Sequence, residues 1–320
     1  MRRVVNRMND YAFKRIFGSP ENCDILMAFC NAVLDRPPGE EIASLELLDR
    51  ELDPEYLADK AGRLDILART ASGTLINIEV QVQNVGDTRK RMLFYWSRLY
   101  VGQLASGADY YQLAPTISVN VLNFVELPGE DYHSVFTLRR QEDGYRLIED
   151  LELHFLELPK MRALKRLPRT PLEKWLFYLN NAEGEAMDQI AKEVPMIQKA
   201  RTVEELFMQM EHERRLYELR EKGLHDIATL QKHARQEGHK EGVEEGRREG
   251  IKKGVEKGRK EGVEKGRREG VEKGRREGVE KGRKEGLRTS ARNMLRKGMP
   301  MALVAEVTGL SPDEVAALMD

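Results

Sequence analysis

Two cysteines and six histidines in 320 residues leave this chain poor in soft and imidazole metal ligands. Cys23 and Cys30 lie seven apart on one expected helix, with no zinc-like spacing and no histidine partner nearby. They are read as reduced, partly buried thiols. The histidines are scattered and form no metal motif. The sequence has no run of eighteen apolar residues, which argues against a membrane-spanning helix. Arg2 and Arg3 lead into no apolar core, so no secretory signal is expected and the chain is assigned to the cytoplasm. A formal charge of −1 provides no overall basic field, so any affinity for DNA has to come from local patches. What the chain does have is charge of both signs, 33% of its residues, concentrated toward the C-terminal part. Its length favours two domains, and roughly its first two hundred residues suffice to bury a substantial core.

The stretch 62–83, GRLDILARTASGTLINIEVQVQ, reads as a hairpin in which runs 63–69 and 74–83 flank the turn-forming Ala71-Ser72-Gly73. In the second run Ile76, Ile78, Val80 and Val82 alternate with Asn77, Glu79, Gln81 and Gln83, so one face is aliphatic and the other polar. Asp65 shares the polar face with Glu79, and Gln81 stands two positions further along. A hairpin with a solvated polar face is the ordinary reading of such alternation. Three details count against it. Asp65 interrupts an apolar strand, where aspartate is disfavoured. The polar face carries amides and one acid but no Lys or Arg. The basic segment Arg89-Lys90-Arg91 follows closely. Two acids that converge on a divalent cation beside a basic helix make a phosphodiester-cleaving site.

Around this hairpin, Asn9 or Asp10 caps a helix carrying Phe13, Ile16 and Phe17, with Asp10 and Lys14 as i,i+4 neighbours. A second helix over 25–34 ends before Pro37-Pro38, and a strand over 42–48 precedes an acidic loop, 49–60. A helical stripe of Met92, Leu93, Trp96, Leu99 and Tyr100 marks 89–104. Strands follow at 116–126, 133–140 and 151–158, then a basic, proline-punctuated connector at 159–170 and helices at 171–181 and 203–220. The order of elements specifies a mixed α/β domain.

Residues 237–286 are a repeat in which VEKGR(K/R)EG occurs four times in tandem from Val255 and glycine falls at every fourth position. Its 17 Lys and Arg against 13 Glu leave the segment four charges positive. Pairs such as Glu261–Lys265 and Glu264–Arg268 are worth about 0.2–0.5 kcal/mol each in a helix. Each interior glycine costs about 1 kcal/mol relative to alanine. The glycines win, so a semi-helical, self-associating spacer is expected. Residues 287–320 read as a compact helical tail whose Thr308-Gly309-Leu310-Ser311 has the form of a helix-turn-helix turn. Its third helix carries Asp313, Glu314 and Asp320 but no arginine, so an oligomerisation or partner-docking unit is expected.

Asp65 followed by Glu79-Val80-Gln81 resembles the Asp…Glu-x-Lys signature of the PD-(D/E)XK nuclease superfamily, with Gln81 where lysine usually stands. Together with the run Asn9-Asp10-Tyr11-Ala12-Phe13-Lys14-Arg15-Ile16-Phe17-Gly18 and with Glu157-Leu158-Pro159-Lys160, it resembles the Rpn group of recombination-promoting nucleases and transposases over residues 6–165. The resemblance implies a restriction-endonuclease-like α/β core, a mixed sheet flanked by helices. It implies a Mg²⁺-dependent (or Mn²⁺-dependent) DNA endonuclease in recombination or in defence against foreign DNA. Asp65 and Glu79 would be the metal ligands, and Gln81 would orient water without bringing positive charge. Asp10 is an auxiliary candidate because related folds take an acid from their first helix; a cap or a surface ion pair is its competing role. Lys90, or an arginine beside it, is the candidate for the missing cation. The alternatives are a catalytically weak or inactive nuclease fold serving as a binding and oligomerisation protein, and an RNase using the same chemistry. The expected divisions are a nuclease-like domain at 1–165, a helical subdomain at 166–236, the repeat spacer at 237–286 and the helical unit at 287–320. DNA and further copies of the chain are the expected partners.

Overall fold

The computed structural model describes residues 4–48, 65–84 and 86–319. The acidic loop at 49–60 and the start of the first hairpin run, Arg63 and Leu64, lie outside the described residues. The chain divides into two compact units, Met1–Gln231 and Lys232–Asp320.

The first unit is built on a six-stranded sheet of order β1-β2-β3-β4-β6-β5. Its strands are β1 (Leu45–Leu47), β2 (Ile66–Thr70), β3 (Leu75–Gln81), β4 (Thr116–Leu122), β5 (His133–Phe136) and β6 (Leu151–Glu157). The central three, β3, β4 and β6, run parallel, and the outer pairings are antiparallel. The expected hairpin is β2–β3, in register Ile66↔Ile78, with Gly73 at φ +89° making the turn. That conformation is open to glycine and strained for other residues.

Helices α1 (Asp10–Phe17), α2 (Cys23–Leu34) and α5 (Pro171–Leu179) pack through Phe13, Phe17, Phe29 and Trp175, whose neighbouring ring centroids are 4.6–5.8 Å apart. The same core takes in Ile76, Ile78, Ile117, Val119 and Val121 from the aliphatic side of β3 and β4. Asn9 caps α1, its Oδ1 accepting the N–H groups of Tyr11 and Ala12. Crossover helix α3 (Thr88–Val101) connects parallel strands β3 and β4, and its Trp96 Nε1 donates to Thr116 O at 2.7 Å.

After α4 (Leu158–Ala163) and α5, helices α6 (Glu185–Glu193) and α7 (Pro195–Gln209) join the same core through Met187, Ile190, Ile197 and Phe207. The helix expected over 203–220 is two. Met210 adopts extended backbone (ψ 117°) between α7 and α8 (Glu211–Arg296).

In the second unit α8 runs as unbroken helix through the repeat, where partial helix was expected. Pairs such as Glu256–Lys260 (2.8 Å) and Glu272–Arg276 (2.6 Å) form, while Lys265 turns to Glu269 at 4.0 Å rather than to Glu261. Both ends of α8 are set in packed structure, at Tyr217 and at Ala291, which supplies the nucleus that an isolated glycine-rich helix lacks. The end of α8, α9 (Met301–Thr308) and α10 (Pro312–Ala316) enclose a small core of Ala291, Val304, Leu310 and Val315. Ser311 and Glu314 form a capping box at the start of α10.

Candidate active site

The polar side of β3 faces the protein interior. Asn77, Glu79 and Gln81 are all buried, and in the neighbouring strand they lie beside Ser118, Asn120 and Leu122. Asp65 stands one residue before β2, and since Ile66 pairs with Ile78, it falls next to Glu79. Two hydrogen bonds fix the arrangement. Val80 N–H donates to Asp65 Oδ2 at 3.0 Å, and Asp65 N–H donates to Glu79 Oε1 at 3.4 Å. The two acids therefore share one side of the sheet, each touching the other's strand.

Burial, and then the nearby Asp65 charge, push the Glu79 pKa up to about 8 from an ordinary 4.5. Arg91 on α3 acts in the opposite direction, favouring the charged carboxylate. Its Nε is buried and takes no hydrogen bond among the described residues. Gln81 Oε1 is likewise buried without a partner among them. Two carboxylates and an unengaged amide oxygen are hard oxygen donors, the set that Mg²⁺ and Mn²⁺ accept. Burial and the adjacent Asp65, which together disfavour the Glu79 carboxylate, are what a divalent cation would offset. The residues present thus fit such an ion, which Asp65 and Glu79 would hold.

Other candidates fall elsewhere. Asp10 lies 3.7 Å from Arg220 on α8, and no third acid, histidine or cysteine joins the pair among the described residues. Lys90 is exposed, and Arg89 is engaged by Glu126 at 2.7 Å. The group that reaches the acids is Lys14, whose Nζ lies 2.7 Å from Asp65 Oδ1. The expected i,i+4 pair of Asp10 with Lys14 is replaced by these two longer-range contacts. In sequence Lys14 and Asp65 are far apart, and only the quoted run around Phe13 and Gly18 pointed to this helix.

A family model described as PD-(D/E)XK nuclease family transposase matches residues 7–234. The chain belongs to this family. The match takes in α5, α6 and α7, whose buried residues belong to the same core as the sheet. A second family model, the C-terminal helix-turn-helix (HTH) domain of the Rpn/YhgA-like nuclease family, matches residues 285–320. No curated protein and no solved structure matches the chain. The tail thus matches an HTH domain, in keeping with the HTH-like turn at Thr308-Gly309-Leu310-Ser311. Exposed basic groups lie before α9, with Arg288, Arg292 and Arg296 on α8 and Lys297 just beyond its end. Among the described residues no helix is long and apolar enough to cross a membrane.

Proposed function

We propose that this PD-(D/E)XK family protein is a metal-dependent DNA endonuclease in which Asp65 and Glu79 hold one divalent ion. The observation that carries the reading is the buried placement of the two acids on one side of β2–β3, where Glu79 accepts the Asp65 N–H and Asp65 accepts the Val80 N–H. When bound, the ion supplies Lewis-acid activation of water and neutralises charge developing on the phosphate. The chain's own groups do the rest. Gln81 offers an amide that orients water by hydrogen bonds. Arg91, beside Glu79, presents a guanidinium suited to a phosphate oxygen. The HTH domain supplies a second DNA contact, through the arginines at the end of α8.

The setting we propose is DNA recombination or defence against foreign DNA, supported by the transposase description of the family. Assembly of copies through the repeat belongs to the same reading, supported by its column of exposed glycines with open space around each, and light scattering on the full chain tests it.

Supercoiled plasmid and a matched RNA, incubated with Mg²⁺, Mn²⁺, Ca²⁺ or EDTA, test the activity. Cleavage of DNA by wild type with Mg²⁺ or Mn²⁺, abolished by EDTA and by Asp65→Asn, supports it. Cleavage that survives Asp65→Asn and Glu79→Gln refutes the site. Cleavage of RNA alone makes the chain an RNase. A second reading, a binding protein on an inactive nuclease fold, is favoured by one observation: Asp65 is already neutralised by Lys14, and Gln81 adds no charge. Lack of any thermal stabilisation by Mg²⁺ or Mn²⁺ selects that reading.

A further inference from the structure

The strand that carries Glu79 brings no cation to the site, because Gln81 occupies the position two residues on and ends in a neutral amide. Yet hydrolysis of a phosphodiester concentrates negative charge where a positive group is most effective. Lys14 is such a group, and its placement is built into the fold.

Helix α1 is sunk into the core by Ala12, Phe13, Ile16 and Phe17. Its C-cap residue, Gly18, rests directly on the first residue of β2. A Cβ there would come within 3.3 Å of Ile66 Cγ1 and 3.0 Å of Lys14 O. Ser19 Oγ and Asn22 Nδ2 both donate to Arg15 O, closing the last turn. Since Ile66 directly follows Asp65, the close approach at Gly18 brings the Lys14 stem alongside the first acid. The ion pair is partly shielded, with side-chain exposures of 22% for Lys14 and 12% for Asp65.

We propose that Lys14 is a working cation of the site alongside Arg91, supplying from α1 the charge that Gln81 does not supply from β3. With no metal bound it neutralises Asp65. Were Asp65 to hold a divalent ion, the ammonium would lose its counter-charge in a partly buried place, which is unfavourable unless another anion arrives. The anion that arrives is the substrate phosphate. A flexible four-carbon stem carrying a point charge can turn from one oxygen to the other. Lys14 is therefore both a competitor for the metal-binding carboxylate and a clamp on the phosphate. The inference rests on the nuclease reading for its second half only.

The test uses the full chain as wild type, Lys14→Met, Lys14→Gln and Lys14→Arg, with thermal melts confirming the fold. Mn²⁺ affinity is read by calorimetry without DNA, where removal of the competing ammonium should tighten binding at least about threefold in both neutral variants. Single-turnover cleavage of a duplex should fall about 100-fold in rate in those variants, with KM moved less than about threefold and with Lys14→Arg regaining at least about tenfold of the loss. Unchanged Mn²⁺ affinity overturns the proposal, and so does cleavage by a folded neutral variant within about threefold of wild type. If wild type itself does not cut nucleic acid, the nuclease reading fails. The Mn²⁺ arm then decides on its own whether Lys14 competes for Asp65.

Discussion

Asp65 Oδ2 accepts the N–H of Val80 at 3.0 Å, so the first acid of the pair also pins the strand that carries the second. Truncating Asp65 should therefore affect stability as well as activity. Asp65→Ala leaves a half-buried N–H unpaired and is expected to lose about 1–3 kcal/mol, whereas Asp65→Asn keeps an accepting oxygen and should lose less. Urea unfolding of the two variants measures the difference. Equal losses would show that the hydrogen bond is not what Asp65 contributes.

The N-terminal segment is fastened to the helical layer by Arg7. Its Nε and Nη2 donate to the two Glu204 oxygens at 2.6 and 3.2 Å, its Nη1 to Tyr178 O at 2.9 Å, and its guanidinium lies 4.3 Å from the Tyr178 ring centroid. Tyr178 also donates its hydroxyl to Glu204. Burial works against the Arg7 charge, and the Glu204 hydrogen bonds outweigh it, raising the pKa. Glu204→Ala removes the buried partner of the cation, leaving it Glu183 at 2.7 Å, and is expected to destabilise by about 1–3 kcal/mol. A loss below about 1 kcal/mol in denaturant titration would contradict this, since that is the scale of an exposed pair.

Acid stability should decline in two windows. Burial, then the charge of His154, lowers His133 to about 4 from 6.5. Burial opposes the Glu152 charge, but hydrogen bonds from His154, Arg146 and Arg36 outweigh it and hold its pKa at about 2 against 4.5. Both groups bind fewer protons folded than unfolded, so each contribution is complete above the unfolded pKa and is lost as pH falls toward the folded one. For His133 the window is 6.5 to 4, and for Glu152 it is 4.5 to 2. Unfolding free energies followed across this range should lose the upper slope in His133→Asn and the lower slope in Glu152→Gln. Slopes identical to wild type would refute the assignment.

The helix through the repeat depends on its ends. A peptide of residues 237–286 alone should show less than about a quarter helix by circular dichroism, and substituting its glycines by alanine should raise that steeply, at about 1 kcal/mol per residue. Apart from the immediate chain neighbours and the helix's own backbone, nothing lies within 4 Å of a Cβ at these glycines, so the gain meets no other clash among the described residues. A strongly helical wild-type peptide would show that the sequence needs no anchoring.

Much of this was legible in the residues because the signals were local. The alternation Ile76–Asn77–Ile78–Glu79 marked β3 and the shared side of Asp65 and Glu79, and the Phe13, Ile16, Phe17 spacing marked α1. What stayed hidden was non-local. Nothing near Lys14 announces an acid some fifty positions on, and the i,i+4 rule pointed it at Asp10 instead. The break at Met210 carries no glycine or proline, so no local signal marks it. In the repeat, local propensity argued for partial helix, and nucleation at both ends overrode it. In the tail the turn Thr308-Gly309-Leu310-Ser311 carried the HTH signal, while the acidic α10 gave no sign of a DNA-reading helix.

The central claim is that Asp65 and Glu79 share one ion, and crystals grown with Mn²⁺ test it most directly through anomalous scattering. The account expects one strong peak between the two carboxylates, lost in Glu79→Gln. A peak held by one acid with the other turned away, or no peak at this end of β3, would contradict it.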